Sequence, residues 1–79
     1  MKKIIVTGGS GFIGSNLVNY LVKKKYFVIN IDKLTYSSNT YSNHNLSKKN
    51  YKFFKIDINK KSELKKIIKK YKPECIFNL

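Results

Sequence analysis

The sequence contains no arginine and no tryptophan, and it has one cysteine, one proline and four acidic residues. A single cysteine excludes an internal disulfide framework and a zinc site built from several cysteines, and it leaves a reducing cytoplasm as the expected compartment. No run approaches the roughly 18 apolar residues of a membrane-spanning helix. The short apolar stretch after Lys2 and Lys3 does not resemble a signal peptide. We therefore expect no membrane partner.

The absence of arginine helps to interpret the strongly positive net charge. All 17 basic residues are lysines, and the net charge is +13. Proteins that read phosphates and base edges usually rely on the planar fork of arginine. Lysine, isoleucine, asparagine, tyrosine and phenylalanine share AT-rich codons, so we attribute the excess to genome composition and expect no specific nucleic-acid partner. A small basic nucleic-acid-binding module remains the alternative from another class, and it predicts DNA binding that weakens steeply with salt.

The apolar pattern predicts strands that alternate with helices. Runs rich in β-branched and aromatic residues predict four strands, at 2–7, 26–32, 51–57 and 74–79. Apolar residues at helical spacing predict two helices, at 12–24 and 60–71. The polar segment 33–50 is expected to be a loop with one short helical turn at 41–46. The order β-α-β-loop-β-α-β favours an α/β fold with a doubly wound parallel sheet, and no linker interrupts residues 1–79.

Individual residues in these elements carry expectations of their own. In the first helix, Ile13, Leu17 and Leu21 are expected to share the buried stripe. In the second helix, the expected stripe consists of Leu64, Ile67, Ile68 and Tyr71. Asn59 is a suitable N-cap for the second helix. Cys75, in the last strand, is expected to be a small buried apolar residue.

The four glycines all lie between residues 8 and 14, in T-G-G-S-G-F-I-G, where the first strand gives way to the first helix. Gly8, Gly11 and Gly14 form G-x-x-G-x-x-G, with Gly9 as an addition. In this context the first glycine permits a tight turn, the middle one admits a pyrophosphate close to the backbone, and the last lets the helix pack on the strand. We expect the amides of residues 11–13 to face the phosphates. The pattern predicts a dinucleotide-binding turn.

Two aspartates follow the predicted second and third strands. Asp32 comes 18 residues after Gly14, where a carboxylate accepts both hydroxyls of the adenosine ribose and disfavours a 2′-phosphate. This favours NAD over NADP, although Lys33 beside it offers a partner for a 2′-phosphate. Asp57 is expected at the same sheet edge near the adenine, and its alternative interpretation is an ordinary strand-end acid or helix cap.

Several segments together resemble a known family. They are T-G-G-S-G-F-I-G, the run D-K-L-T-Y at 32–36 with Asn39, and the ending K-P-E-x-I-F-N-L. They resemble the dTDP-glucose 4,6-dehydratases, which belong to the NAD-dependent epimerases and dehydratases of the extended short-chain dehydrogenase/reductase superfamily. Ser37 and Ser38 stand where that family usually has Ala-Gly. The resemblance implies the first part of a Rossmann domain, and the chain matches roughly the first quarter of a family member.

The resemblance also implies which residues contact NAD. They lie in three short segments, with Phe12 and Ile13 at the pyrophosphate, Asp32, Lys33, Leu34 and Thr35 around the adenosine, and Asp57 and Ile58 beside the adenine.

The implied reaction removes water from a sugar nucleotide, with transient oxidation by bound NAD, and gives a 4-keto-6-deoxy sugar. The resemblance implies a nucleotide-sugar substrate and a homodimer for the whole protein. The catalytic segments of the family have no counterpart in these residues, so we assign no catalytic residue. A sister epimerase or decarboxylase acting on a UDP- or GDP-sugar is the alternative within the superfamily.

Two pairs and one histidine invite a catalytic interpretation that we reject. The pair Tyr20 and Lys24 matches Y-x-x-x-K, but we expect it far from the phosphate-binding edge. The match from 51 to 55 falls on a strand, where its two side chains would stand about 13 Å apart. His44 has no acid–base partner at a useful spacing and is expected at the surface, as are the helical lysines.

Overall fold

The computed structural model describes residues 1–34 and 49–79. The predicted turn at 41–46, together with Thr35 and His44, lies outside the described residues. Within the described part, the chain forms four strands and two helices in the predicted order: β1 (Lys3–Thr7), α1 (Phe12–Lys23), β2 (Phe27–Ile31), β3 (Tyr51–Phe54), α2 (Lys61–Tyr71) and β4 (Cys75–Asn78).

The strands form one parallel sheet in the order β3-β2-β1-β4. Val6 of β1 pairs with Asn30 of β2 on one side and with Phe77 of β4 on the other. A strand order of 3-2-1-4 is the beginning of the Rossmann arrangement, in which ligands bind outside the carboxyl ends of the strands. The predicted α/β fold is confirmed.

The sheet is covered by one helix on each face. Alternate residues of a strand point to opposite faces, and β2 shows this clearly. Val28 packs with Val18 and Leu21 of α1. Ile29 and Ile31 instead pack with Ile67 of α2. Since both faces are apolar, β1 and β2 are nearly continuous hydrophobic runs, as is typical of buried parallel strands.

The predicted stripe of α2 is confirmed, whereas that of α1 needs a correction. Leu64, Ile67, Ile68 and Tyr71 all pack against the sheet. In α1, however, Ile13 is 71% exposed, and the buried face begins at Gly14. The first turn of α1 extends beyond the carboxyl edge of the sheet, so it has no strand to pack on.

Two further expectations are wrong. Cys75 is exposed rather than buried, because all of β4 is exposed and, among the described residues, it pairs only with β1. The N-cap of α2 is Lys60 rather than Asn59, and no side chain caps the helix. Asn59 instead lies in the turn before the helix, where its N–H donates to the Asp57 Oδ1 at 2.9 Å.

The third strand is shorter than predicted, ending at Phe54 instead of residue 57. Its backbone pairing nevertheless continues past that point. The Asp32 N–H donates to the Phe54 carbonyl at 3.1 Å, and the Ile56 N–H donates to the Asp32 carbonyl at 3.2 Å. These bonds hold the segment that leads to Asp57 beside the end of β2.

The C-terminal end of α1 is closed by a Schellman motif, which usually contains glycine. The Tyr26 N–H donates to the Leu21 carbonyl at 3.1 Å, and the Lys25 N–H donates to the Val22 carbonyl at 3.0 Å. Lys25 has a φ of 70°, in the left-handed region. A residue with a side chain is strained in this conformation.

Replacing Lys25 with glycine is therefore expected to raise the free energy of unfolding by about 1 kcal/mol. Urea unfolding of the protein would measure the change as a higher midpoint at an unchanged slope. Lys23→Gly is the matched control, since it removes the same charge inside the helix and should lower stability by about 1 kcal/mol. Equal shifts for the two variants would contradict the assigned helix end.

Candidate nucleotide-binding site

The glycine turn joins β1 to α1 at the carboxyl edge of the sheet. Gly8 has a φ of 78°, a conformation that favours glycine. Its N–H donates to the Ile31 carbonyl at 2.8 Å, which fixes the turn against the end of β2. A Cβ on Gly14 would lie 2.1 Å from the Gly8 carbonyl oxygen. The first and last glycines therefore do what the sequence predicted, since one makes the turn and the other permits close packing of the helix.

The middle glycine of the pattern, Gly11, differs from the other two in its backbone conformation. Gly11 is the N-cap of α1 with a φ of −76°, which any residue can adopt. Its backbone conformation therefore does not require glycine. Its N–H donates weakly to the Gly8 carbonyl, at 3.3 Å. This amide was expected to face the phosphates, and the structure instead uses it within the turn.

Asp32 follows β2 directly and connects the turn to the neighbouring segment. Its carboxylate is 5% exposed. Oδ2 accepts the Ser10 N–H at 3.0 Å, and Oδ1 accepts the Leu34 N–H at 2.9 Å. Leu34 has a φ of 56°, an unusual conformation for a bulky residue and one that is found more often at functional sites. Asp32, the residue predicted to bind the ribose, thus lies at the centre of a corner in which its hydrogen bonds join Ser10 of the glycine turn to Leu34.

A cavity of about 240 Å³ opens beside this corner. Five of the predicted cofactor residues line it: Gly8, Asp32, Lys33, Asp57 and Ile58. The Lys33 Nζ lies 3.9 Å from the Asp57 Oδ2, and both side chains are partly exposed. The cavity is smaller than the roughly 300–1,000 Å³ of pockets that enclose whole drug-sized ligands.

The remaining predicted residues lie close to the cavity or outside the described part. Phe12 and Ile13 are exposed at the start of α1. The twelve-residue helix places the positive end of its dipole there. Leu34 is connected to the site through Asp32. Thr35 lies outside the described residues.

The sequence analysis missed two buried asparagines. Asn30, in the middle of β2, donates from Nδ2 to the Ser10 Oγ at 3.1 Å and to the Tyr51 hydroxyl at 3.0 Å. Asn50 donates from Nδ2 to the Val22 and Tyr26 carbonyls, both at 3.1 Å, and so satisfies the end of α1. For Asn30, a polar residue inside an apolar strand was the available clue. For Asn50, we find no comparable pattern.

The rejected catalytic pairs contribute no residue to the lining of the cavity. Lys24 stacks over the ring of Tyr20, with its Nζ 5.5 Å from the centroid, on the last turns of α1. The Tyr51 hydroxyl accepts the bond from Asn30, while Lys55 is exposed. Across residues 1–34 and 49–79, no cluster of three or more His, Cys, Asp or Glu side chains could hold a metal ion. In the same residues, neither helix has the length and apolarity needed to cross a membrane.

Comparison with known proteins identifies the family. A family model described as GDP-mannose 4,6 dehydratase matches residues 5–79. The dTDP-glucose 4,6-dehydratase of Haemophilus influenzae is 43% identical over 81 residues, which cover 100% of this chain and 24% of that protein. The chain thus spans about a quarter of the length of the relatives that it matches.

Two solved structures are similar to this chain in both sequence and fold. The dTDP-glucose 4,6-dehydratase of Bacillus anthracis, determined in complex with NAD, is 38% identical with a TM-score of 0.87, and the match covers 100% of this chain and 26% of that one. The UDP-glucose 4-epimerase of Thermotoga maritima, determined with UDP-glucose, is 36% identical with a TM-score of 0.79, over 98% of this chain and 23% of that one. The chain belongs to the GDP-mannose 4,6 dehydratase family, and its fold matches the N-terminal, Rossmann-like portion of the solved dehydratase.

Proposed function

We propose that residues 1–79 are the N-terminal part of the NAD-binding domain of a nucleotide-sugar 4,6-dehydratase that converts dTDP-glucose into a 4-keto-6-deoxy sugar nucleotide. The observation that carries the NAD assignment is the position of Asp32. Its buried carboxylate bonds to the glycine turn and lines the cavity shared with Asp57. This brings together a phosphate-binding turn and a ribose acceptor at the sheet edge where such ligands bind.

The residues at this edge fit a dinucleotide. The glycine turn and the start of α1 would hold the pyrophosphate, since amides and a helix dipole favour anions. Asp32 would accept the ribose hydroxyls, because its carboxylate follows β2 at the carboxyl edge of the sheet and lines the cavity. Asp57 and Ile58 would flank the adenine. When bound, NAD supplies reversible hydride transfer. The chain's own residues bind and orient it.

The substrate proposal rests on the comparisons. The matched dehydratases are named for dTDP-glucose. The segment Asp32-Lys33-Leu34-Thr35-Tyr36 supports the same assignment. The similarity to a UDP-glucose 4-epimerase keeps an epimerase as the second candidate.

Product analysis separates the two candidates. We expect the protein to convert dTDP-glucose into a product lighter by one water, detected by mass spectrometry. Conversion of UDP-glucose into an isomer of unchanged mass, without reaction of dTDP-glucose, would favour the epimerase and contradict the proposal.

Gly11 offers a test of the phosphate-binding turn. Serine is a better N-cap than glycine, so Gly11→Ser should leave the free energy of unfolding unchanged or slightly higher. The added side chain would stand where backbone must approach the pyrophosphate, so the affinity for NAD should fall by about tenfold or more. Calorimetric titration with NAD measures the affinity, and urea unfolding measures the stability.

Asn16→Ser provides the comparison for Gly11→Ser. Asn16 is exposed on α1, and its replacement should change neither quantity appreciably. If Gly11→Ser bound NAD as tightly as the wild type, the assignment of the pyrophosphate to this turn would be wrong.

For the whole enzyme we also propose a homodimer acting in the cytoplasm. The dimer follows from the family resemblance, and the compartment follows from the single cysteine, which indicates a reducing environment. Sedimentation of the complete protein would test the first, since a monomeric active enzyme contradicts it. Cell fractionation would test the second.

A further inference from the structure

Asn30 is a polar residue in the middle of an otherwise apolar strand. Its neighbours Ile29 and Ile31 are core residues, and Asn30 itself is 0% exposed. A buried amide is unfavourable unless it is hydrogen-bonded. The Asn30 Nδ2 makes its two bonds to the Ser10 Oγ and the Tyr51 hydroxyl. These bonds join β2 to the glycine turn and to the first residue of β3.

Ser10, between Gly9 and Gly11, is held at two atoms. Its N–H donates to the Asp32 Oδ2 at 3.0 Å, and its Oγ accepts from Asn30 at 3.1 Å. Asn30 and Asp32 are two positions apart on a strand, so their side chains emerge on the same face. Two neighbouring side chains of β2 therefore fix one residue in the middle of the turn.

The backbone of the turn also rests on the Asn30 carboxamide. A Cβ on Gly9 would lie 2.3 Å from the Asn30 Oδ1 and 2.6 Å from its Cγ. Within the described residues, Oδ1 has no hydrogen-bond partner. The close approach of the carboxamide leaves no room for a side chain at residue 9. It explains Gly9, which the G-x-x-G-x-x-G pattern leaves unassigned.

We infer that Asn30 is a positioning residue for the glycine turn and acts through Ser10. The inference deepens the proposed function and rests on it, because it assigns Asn30 the task of fixing a turn that binds NAD. Asn30 does not contact NAD. It holds Ser10, and with it the adjacent amides, in the conformation that the pyrophosphate requires, so that the turn is ordered before the cofactor binds.

The test compares Ser10→Ala, Asn30→Ala and the double variant by titration with NAD. Each single variant should weaken NAD binding by about five- to tenfold, the effect of losing one hydrogen bond that orders the turn. Because both changes break the same contact, the double variant should bind no more than about twofold more weakly than Asn30→Ala alone. The inference would be overturned if the double variant lost affinity by the product of the two single losses. It would also be overturned if the single variants bound NAD as tightly as the wild type.

Asn50→Ala is the matched control. Asn50 is also a buried asparagine with two Nδ2 hydrogen bonds, but these lie at the opposite end of α1. Its replacement should lower the unfolding midpoint while leaving NAD affinity unchanged. A loss of affinity in Asn50→Ala equal to that in Asn30→Ala would show that general destabilisation, rather than positioning, weakens binding.

A second measurement does not depend on NAD. Hydrogen exchange of the backbone amide at residue 10 can be followed by NMR in the ligand-free protein. Its rate should rise at least about tenfold in both Ser10→Ala and Asn30→Ala. The Ile5 amide, in the central strand, should stay protected in both variants. Unchanged exchange at residue 10 would overturn the inference. If Asn30→Ala does not fold, Ser10→Ala alone decides. If the wild-type protein does not bind NAD, the proposed function fails, and exchange alone decides whether Asn30 orders the turn.

Discussion

Replacing Gly14 with alanine is expected to lower the free energy of unfolding by about 3 kcal/mol or more, at or above the upper end of ordinary overpacking. The new Cβ would lie 2.1 Å from the Gly8 carbonyl oxygen and 2.8 Å from the Gly9 Cα. Both are backbone atoms, so no side chain can rotate away. The helix has to move off the turn, and the packing of Val18 against the sheet moves with it. Urea or thermal unfolding of the protein measures the loss.

Asn16→Ala, on the exposed side of the same helix, is the control for Gly14→Ala. It should change stability by no more than about 0.5 kcal/mol. A Gly14→Ala protein within 1 kcal/mol of the wild type, a threshold of roughly one weak hydrogen bond, would show that α1 does not approach the turn as closely as the structure places it.

The second large effect is expected at Asp32. Asp32→Asn should weaken NAD binding by about 10- to 100-fold, the range expected when hydrogen bonds to a charged group are lost. The carboxylate accepts the amides of Ser10 and Leu34 with different oxygens. An asparagine would turn its NH₂ group toward one of these two donors. The preference for NAD over NADP should also narrow, because the charge that disfavours the 2′-phosphate is gone.

Titration of wild type and variant with both dinucleotides measures affinity and preference together. Glu74→Gln removes one negative charge from an exposed residue at the start of β4, at the opposite edge of the sheet. It should leave both affinities unchanged. If Asp32→Asn bound NAD as tightly as the wild type, the ribose assignment would be wrong.

The fold and the central part of the site could be predicted from local patterns. Apolar runs ending at Gly8 and Asp32 marked two strands, and the spacing of the glycines marked the turn between β1 and α1. These features depend on residues that are near one another in sequence. The structure confirms the α/β fold, and it brings Asp32 and Asp57 to one cavity.

What could not be predicted depends on distant contacts. Ile13 fits the helical period, but the sheet ends before it can be covered. Cys75 has apolar neighbours, yet its strand is exposed. Asn59 is a good cap by composition, but it lies in the turn that its hydrogen bond to Asp57 closes one residue before the N-cap. In each case, local preference was overridden by a partner or an edge that the sequence pattern does not encode.

The role of Asn30 could partly have been predicted from the sequence. It lies two residues before Asp32, and the strand period places both on the face that carries α1. A polar side chain at that position must find a partner in the core. The glycine turn, which follows the neighbouring strand β1, offers such a partner. Its bond to Ser10 was therefore within reach of sequence reasoning, whereas the bond to Tyr51 required the sheet order.

The central claim is that the carboxyl edge of this sheet binds NAD. A crystal structure of the complete protein with NAD tests it most directly. The account predicts the pyrophosphate over the turn at residues 8–14, both adenosine ribose hydroxyls on Asp32, and the adenine in the cavity beside Asp57 and Ile58. A cofactor bound elsewhere, or a ribose that does not touch Asp32, would contradict it.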